Sequence, residues 1–243
     1  MAATHKDDEP YWLGRASVEQ QRLIKQHHVW TRSIGYLVHP TIAATLPENA
    51  RIADIGTGTG IWLTELSKVS PPTYQFHGYD ISAEQFLPAD TLPPNVSLSL
   101  GDFKKPFPEE LHGTFDFVNI RLIIISMGVG VWESTLRNVL TLLKPGGSIQ
   151  WTEGNFFVSR GFRGVDPTST GGHFLTCAQI QLNTTLQKRF GWNFPDWAKL
   201  LTEAGLERVE EDVTTAGVYG DWNGGSVCGF EEFGEYKGGG VLG

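Results

Sequence analysis

The stretch RIADIGTGTG, residues 51–60, runs from an apolar strand straight into glycine at every second position: Gly56, Gly58 and Gly60. Glycine is the residue of tight turns and of close approach to the main chain. Three in alternation after a strand predict a turn that something must reach at short range. The helical pattern that follows, TGIWLTELSKV at 59–69, ends at Ser70-Pro71-Pro72. Strand, glycine turn and helix together demand an α/β architecture, because free N–H groups at a helix start and the carboxyl end of a strand then meet at one point.

The rest of the chain repeats this unit. Strands are expected at 74–79 (YQFHGY), 96–100 (VSLSL), 115–120 (FDFVNI) and 147–152 (GSIQWT), with a short helix near 82–87. An amphipathic helix is expected over 132–143, where Leu136, Val139, Leu140 and Leu143 share one face and KPGG stops it. Alternating strands and helices predict βαβ units and a parallel, right-handed sheet. An unbroken helical pattern at 17–30 lies ahead of this core, and helices at 174–190 and 195–204 with a strand at 206–213 lie behind it. The chain therefore divides into a helical N-terminal cap at 1–45, a ligand-binding domain at 46–213 and a tail at 214–243. From Gly217 to Gly243 there are ten glycines in 27 residues, so the tail is expected to be poorly ordered.

Composition removes several function classes. The 19 basic and 27 acidic side chains give a net charge of −8, with a pI near 5.3. Nucleic-acid and anionic-membrane binding leave a basic footprint, and none shows. The strongest apolar run, VNIRLIIISMGVGVW, is interrupted by Arg121 and by glycines, short of a membrane span. MAATHKDDEP lacks the pattern of a secretory signal, and Cys177 and Cys228 form no C-x-x-C pair. A cytoplasmic location is expected.

The spacing of the glycines selects between ligands. A dinucleotide turn, G-x-G-x-x-G, needs its third glycine five positions after the first, which here is Ile61. The third glycine instead comes one residue early, at Gly60. Two carboxylates follow at strand ends: Asp80 in FHGYDIS, 20 residues after Gly60, and Asp102 in SLSLGDF. A carboxylate so placed can accept from both hydroxyls of a ribose. Either aspartate alone would more often be a loop cap or a solvated turn residue.

Asp54, Gly56, Gly58 and Gly60 match the D/E-x-G-x-G-x-G motif, and in this the chain resembles class I S-adenosylmethionine-dependent methyltransferases. The resemblance extends over residues 11 to about 213. YWLGR, EQQRLIKQHHVW, GYLVHP, GYDIS, LPPNVSL, IRLIII and LLKPGGSIQWTE look like the fungal secondary-metabolite group that includes the gliotoxin-pathway N-methyltransferase. It implies a Rossmann-like parallel sheet with an added helical N-terminal cap and S-adenosylmethionine as cofactor. It implies a cofactor site of Asp54, Gly56, Thr57, Gly58, Gly60, Asp80, Ile81, Asp102, Phe103, Asn119 and Arg121, with Phe103 beside the adenine. The substrate it implies is a small natural product, methylated on N or O. Relatives continue with further helix and strand after the sixth strand, so the C-terminal part of this sheet is expected to be incomplete, leaving an edge that a homodimer could cover.

Methyl transfer needs alignment first and a base only for some acceptors. The candidate bases are His27 and His28 in QHHVW, Glu153 at the end of the fifth strand, and His173. Adjacent helical residues point apart, so at most one of the histidine pair faces the site. Glu153 and His28 are the expected catalytic residues. Tyr11, Trp12 and Arg15 could close over the cofactor or simply anchor the cap by packing. No metal constellation is expected: His5, His39, His77, His112 and His173 are scattered. Two other functions suit the same fold, a pericyclase or isomerase using the cofactor as a fixed positive charge, and a non-catalytic regulatory protein.

Overall fold

The computed structural model describes residues 11–128, 130–155, 181, 184, 195–216 and 227–236. The cap is one long helix, α1 (Tyr11–Ile34), followed by a single turn, α2 (Pro40–Ala43). Tyr11, Trp12 and Arg15 fall in the first turns of α1. The core then runs β1 (Arg51–Ile55), α3 (Ile61–Val69), β2 (Gln75–Asp80), β3 (Val96–Leu100), β4 (Phe115–Arg121), α4 (Trp132–Leu140), β5 (Leu143–Asn155), α5 (Trp197–Glu203), β6 (Leu206–Ala216) and β7 (Val227–Tyr236). No helix forms at 82–87; a short 3₁₀ turn at Ala89–Thr91 follows instead. His173, Cys177 and the helix expected at 174–190 lie outside the described residues, apart from helical positions at 181 and 184.

The strands form one seven-stranded sheet in the order β3-β2-β1-β4-β5-β7-β6. β1 to β5 pair in parallel, and β7 is antiparallel to both β5 and β6. The order reverses between β1 and β4, the switch point at which such sheets open a crevice. The expectation of an incomplete C-terminal sheet is corrected here. A seventh strand arises from within the glycine-rich segment and inserts between β5 and β6. Residues 217–226 and 237–243 of that segment lie outside the described residues.

Alternation along the strands gives the sheet two apolar faces. On one side Ile52, Phe76 and Phe117 pack with Trp62, Leu63 and Leu66 of α3 and Ile42 of α2. On the other, Ala53, Ile55, Val118, Ile120, Ile149 and Trp151 pack with Leu136, Val139 and Leu140 of α4 and Trp197, Leu200 and Leu201 of α5. Trp132, Trp151 and Trp197 cluster there with ring centroids 4.9–5.9 Å apart. The KPGG segment does more than end a helix. It lies within β5 as an irregularity, where pairing jumps from Phe115↔Leu143 to Phe117↔Ser148 and Gly146 takes φ +80°.

The cap is tied to the core by polar contacts at both ends. Near its start, Gln20 Nε2 donates to the carbonyls of Gln85 and Phe86 in the loop after β2, at 3.1 and 3.0 Å. Near its end, the Leu37 carbonyl accepts from Trp62 Nε1 and Gln150 Nε2, both at 3.2 Å, and Tyr36 Oη donates to Asp212 of β6 at 2.7 Å. α1 thus lies across the carboxyl ends of β1 and β4. Among the described residues no helix is long and apolar enough to cross a membrane.

Candidate functional site

The register of the sheet builds the floor of the site. Asp54 sits opposite Gly78 on β2 and Asn119 on β4. All three face the α1 side, and each alternation neighbour faces the opposite core. Asn119 Nδ2 donates to Asp54 Oδ1 and Thr57 Oγ1 donates to Asp54 Oδ2, both at 2.7 Å. Burial pushes the Asp54 carboxyl up from the ordinary carboxylate range, while the Arg121 charge and these two hydrogen bonds oppose the rise.

The three glycines of the turn all have positive φ: +71° at Gly56, +57° at Gly58 and +80° at Gly60. Their surroundings differ. A Cβ on Gly56 would sit 2.7 Å from Ile123 Cγ2, and one on Gly60 would sit 2.8 Å from Leu98 Cδ1. A Cβ on Gly58 would meet only Leu23 Cδ1 of α1, at 3.7 Å, across the cavity. Gly56 and Gly60 are therefore set by turn geometry and crowded by side chains as well, Gly60 by the movable end of Leu98. Gly58 is the position that brings bare main chain to the opening. Its N–H donates to Asp80 Oδ2 at 2.8 Å, so the carboxylate at the end of β2 fixes the turn while keeping lone pairs for further donors.

Between this turn and α1 lies a cavity of about 260 Å³. Of the residues anticipated from the sequence, Asp54, Gly56, Thr57, Gly58 and Arg121 line it. Gly60 stands behind it as the left-handed cap of α3, and Asn119 is buried beneath Asp54. Ile81, next to Asp80, leaves a large apolar side chain 68 % exposed. Asp102 accepts from the Lys104 N–H at 3.0 Å and pairs with Lys105 at 3.2 Å. Burial raises its carboxyl somewhat, but these donors hold it below the ordinary range. Phe103 belongs to the buried core facing α4. The apolar surface exposed beside the strand-end carboxylates comes from Ile81 and from Leu100 at the end of β3.

Both expected catalytic side chains are placed differently from the sequence reading. Of the histidine pair, His27 lines the cavity and is buried, whereas His28 is exposed. Glu153 shares the face of Trp151, because a strand alternates with period two, and so points away from the α1 side. It is 1 % exposed and is absent from the cavity wall. Its Oε1 accepts from the Ile123 N–H and from Trp151 Nε1, each at 3.0 Å. Burial pushes this carboxyl up to about 7, against the pull of Trp151 and the Ile124 and Ile123 N–H groups. Glu153 thereby buttresses the turn after β4, where Leu122 has a strained φ of +57° and forms part of the cavity wall.

Several site residues left little trace in the sequence. Arg22, Leu23 and Gln26 reach the cavity from α1, within five residues of His27. Glu65 of α3, far away in sequence, accepts from His27 Nε2 at 2.7 Å and lies 3.0 Å from His28 Nε2. Gly78 was announced only by being a glycine inside a strand, a sign of close approach.

A doubly wound sheet with this strand order, a glycine turn after β1 and carboxylates at the ends of β1 and β2 is the Rossmann-like fold of the class I methyltransferases. The chain belongs to the methyltransferase domain family, whose model matches residues 26–211. It is similar to the methyltransferase grgD of Penicillium sp, at 35% identity over 63% of this chain and 55% of that protein. It is also similar to the N-methyltransferase sirN of Leptosphaeria maculans, at 31% identity over 87% of this chain and 72% of that one. The chain thus spans little more than half of grgD's length. In fold it resembles a SAM-dependent methyltransferase of Methanosarcina mazei, with a TM-score of 0.58 and 17% identity over 82% of this chain and 98% of the other.

The residues present fit the family's cofactor, S-adenosylmethionine. Asp54 and Arg121 set a carboxyl group and a guanidinium in one cavity wall, which would suit a zwitterionic amino-acid end. Gly58 would give main-chain access, Asp80 would supply a ribose acceptor, and exposed Ile81 and Leu100 would offer apolar surface to a planar base.

Proposed function

We propose that this chain transfers a methyl group from S-adenosylmethionine to a nitrogen of a small secondary metabolite. When bound, the cofactor supplies a methyl group on a positively charged sulfur that already leaves readily. The chain's own residues then have to bind, orient and exclude water. Gly58, Asp80, Asp54 and Arg121 would hold the cofactor, and α1, latched by Gln20, would cover it.

The observation that carries the choice of nitrogen is the state of His27. Among the described cavity residues it is the one imidazole. Arg121 Nη2 lies 2.9 Å from its Nδ1, and an arginine can only donate, so Nδ1 is an acceptor. Nε2 therefore carries the proton and donates to Glu65. Both ring nitrogens are engaged, and Glu153 is sealed on the other face. A phenol or amide needs its proton removed, whereas a neutral amine attacks with its own lone pair and loses a proton to solvent afterwards. The N-methyltransferase name of sirN points the same way.

The test is incubation of the protein with methyl-labelled cofactor and a mixed panel of small amines, phenols and amides. Label is expected on amine nitrogen, with one S-adenosylhomocysteine formed per methyl transferred. Labelling of phenols alone would overturn the nitrogen reading. Conversion of a substrate without S-adenosylhomocysteine would favour the pericyclase alternative.

A further inference from the structure

The His27–Glu65 pair is more elaborate than a packing contact requires. His27 is 2 % exposed and bridges two charged side chains from different elements, Arg121 at the end of β4 and Glu65 in α3. His28 adds a second imidazole on the other oxygen of Glu65. Two histidines and a carboxylate with ligand atoms within 4.8 Å invite comparison with a metal site. The tautomer argues against it. A metal takes the lone pair of a ring nitrogen, and with Nδ1 accepting from Arg121, Nε2 bears a proton rather than a lone pair.

The chain of donors instead runs in one direction, Arg121 to His27 to Glu65. Such an arrangement fixes the imidazole by both nitrogens and then uses it to fix the guanidinium. Burial, with the Arg121 charge second, pushes His27 down to about 4, so the ring is neutral and its acceptor lone pair persists across the physiological range. A long arginine side chain has much rotamer freedom to lose on binding a ligand, and a chain already held in place loses less. Arg121 lines the cavity together with Asp54, and its charge acts on both Asp54 and His27.

We propose that His27, backed by Glu65, is a positioning residue that orients the Arg121 guanidinium to receive the carboxylate of the cofactor's amino-acid end. This rests on the cofactor reading above. His27 touches neither the methyl group nor the acceptor. Its effect is confined to ligands that carry a carboxylate.

That restriction supplies the test. Binding of S-adenosylhomocysteine is compared with binding of 5′-methylthioadenosine, which shares the nucleoside and thioether but lacks the amino-acid end. Wild type, His27→Ala and His27→Asn are titrated calorimetrically, with thermal unfolding as a check on folding. His27→Ala should weaken S-adenosylhomocysteine about tenfold or more, the worth of one charge-assisted hydrogen bond, and leave methylthioadenosine within about twofold. His27→Asn, whose Oδ1 can stand in for Nδ1 as acceptor, should recover most of the loss. Equal weakening of both nucleosides, or of neither, overturns the relay while leaving the cofactor reading intact. A wild-type chain that binds neither nucleoside overturns both.

Discussion

A methyl group added at Gly78 would have no room. Its Cβ would fall 2.5 Å from Leu98 Cδ2 and 2.8 Å from Thr57 Oγ1. Leu98 could shift, but Thr57 holds its hydroxyl there to donate to buried Asp54. Gly78→Ala should therefore destabilise the fold by about 2–3 kcal/mol, combining overpacking with a weakened Asp54 network. Urea unfolding of the variant measures this, and an unchanged midpoint would show that Thr57 is free to move. Asp80→Ala separates stability from binding. It removes the acceptor of the Gly58 N–H and the expected ribose partner together, so cofactor affinity should drop about tenfold or more while the core packing is untouched. Asp54, Gly58, Asp80 and Arg121 were legible from the sequence because turn chemistry and strand ends are local signals. Glu65, Gly78 and the choice of His27 over His28 depend on register and on the angle at which α1 crosses the sheet. Glu153 is the instructive intermediate: the same two-residue alternation that marked β5 as a strand already placed it with Trp151, on the far side from Asp54.

The elements tell a similar story. β1 to β4 and the 147–152 part of β5 are short apolar runs closed by turn residues, and their alternation with helical patterns announced a parallel sheet. β7 carries Gly229 and Gly234, which contribute no side chain to an alternating pattern, and the segment has many glycines on either side. Its place in the sheet is decided by partners far away in sequence, β5 and β6, rather than by its own propensity. Without it both of those strands would show an unpaired edge. Phe233 is paired on both sides, with Gln150 on β5 and Glu210 on β6. Phe233→Pro removes a backbone donor in an interior strand and should cost about 3 kcal/mol or more. Circular dichroism melting would register this as a large drop in midpoint. A proline accepted there without effect would mean that β7 does not occupy the middle position.

At the scale of the whole molecule, two buried ionisable groups lie on opposite faces of the sheet and pull the pH dependence of folding in opposite directions. His27 sits at about 4 in the folded chain against 6.5 for an ordinary histidine. The unfolded chain binds the extra proton between those values, so this stabilisation is complete above pH 6.5 and is lost as pH falls towards 4. Glu153 is raised to about 7 from 4.5, so the folded chain binds the extra proton. Its contribution is complete below pH 4.5 and is lost as pH rises to 7. Each spans roughly 3.5 kcal/mol at most, since one pKa unit corresponds to about 1.4 kcal/mol. Where the windows overlap the two slopes offset each other, and the wild-type profile flattens. Glu153→Gln keeps an oxygen to accept from Ile123 and Trp151 but cannot ionise, so it removes the Glu153 slope and leaves those of His27 and of Asp54, which burial also raises. The stability difference between this variant and wild type should grow in the variant's favour from pH 4.5 to 7 and then level off, because an unpaired buried charge has been removed. Urea midpoints at a series of pH values measure that difference directly. A difference that does not change with pH would mean that Glu153 binds its proton equally well in the folded and unfolded chain, and would overturn the raised pKa.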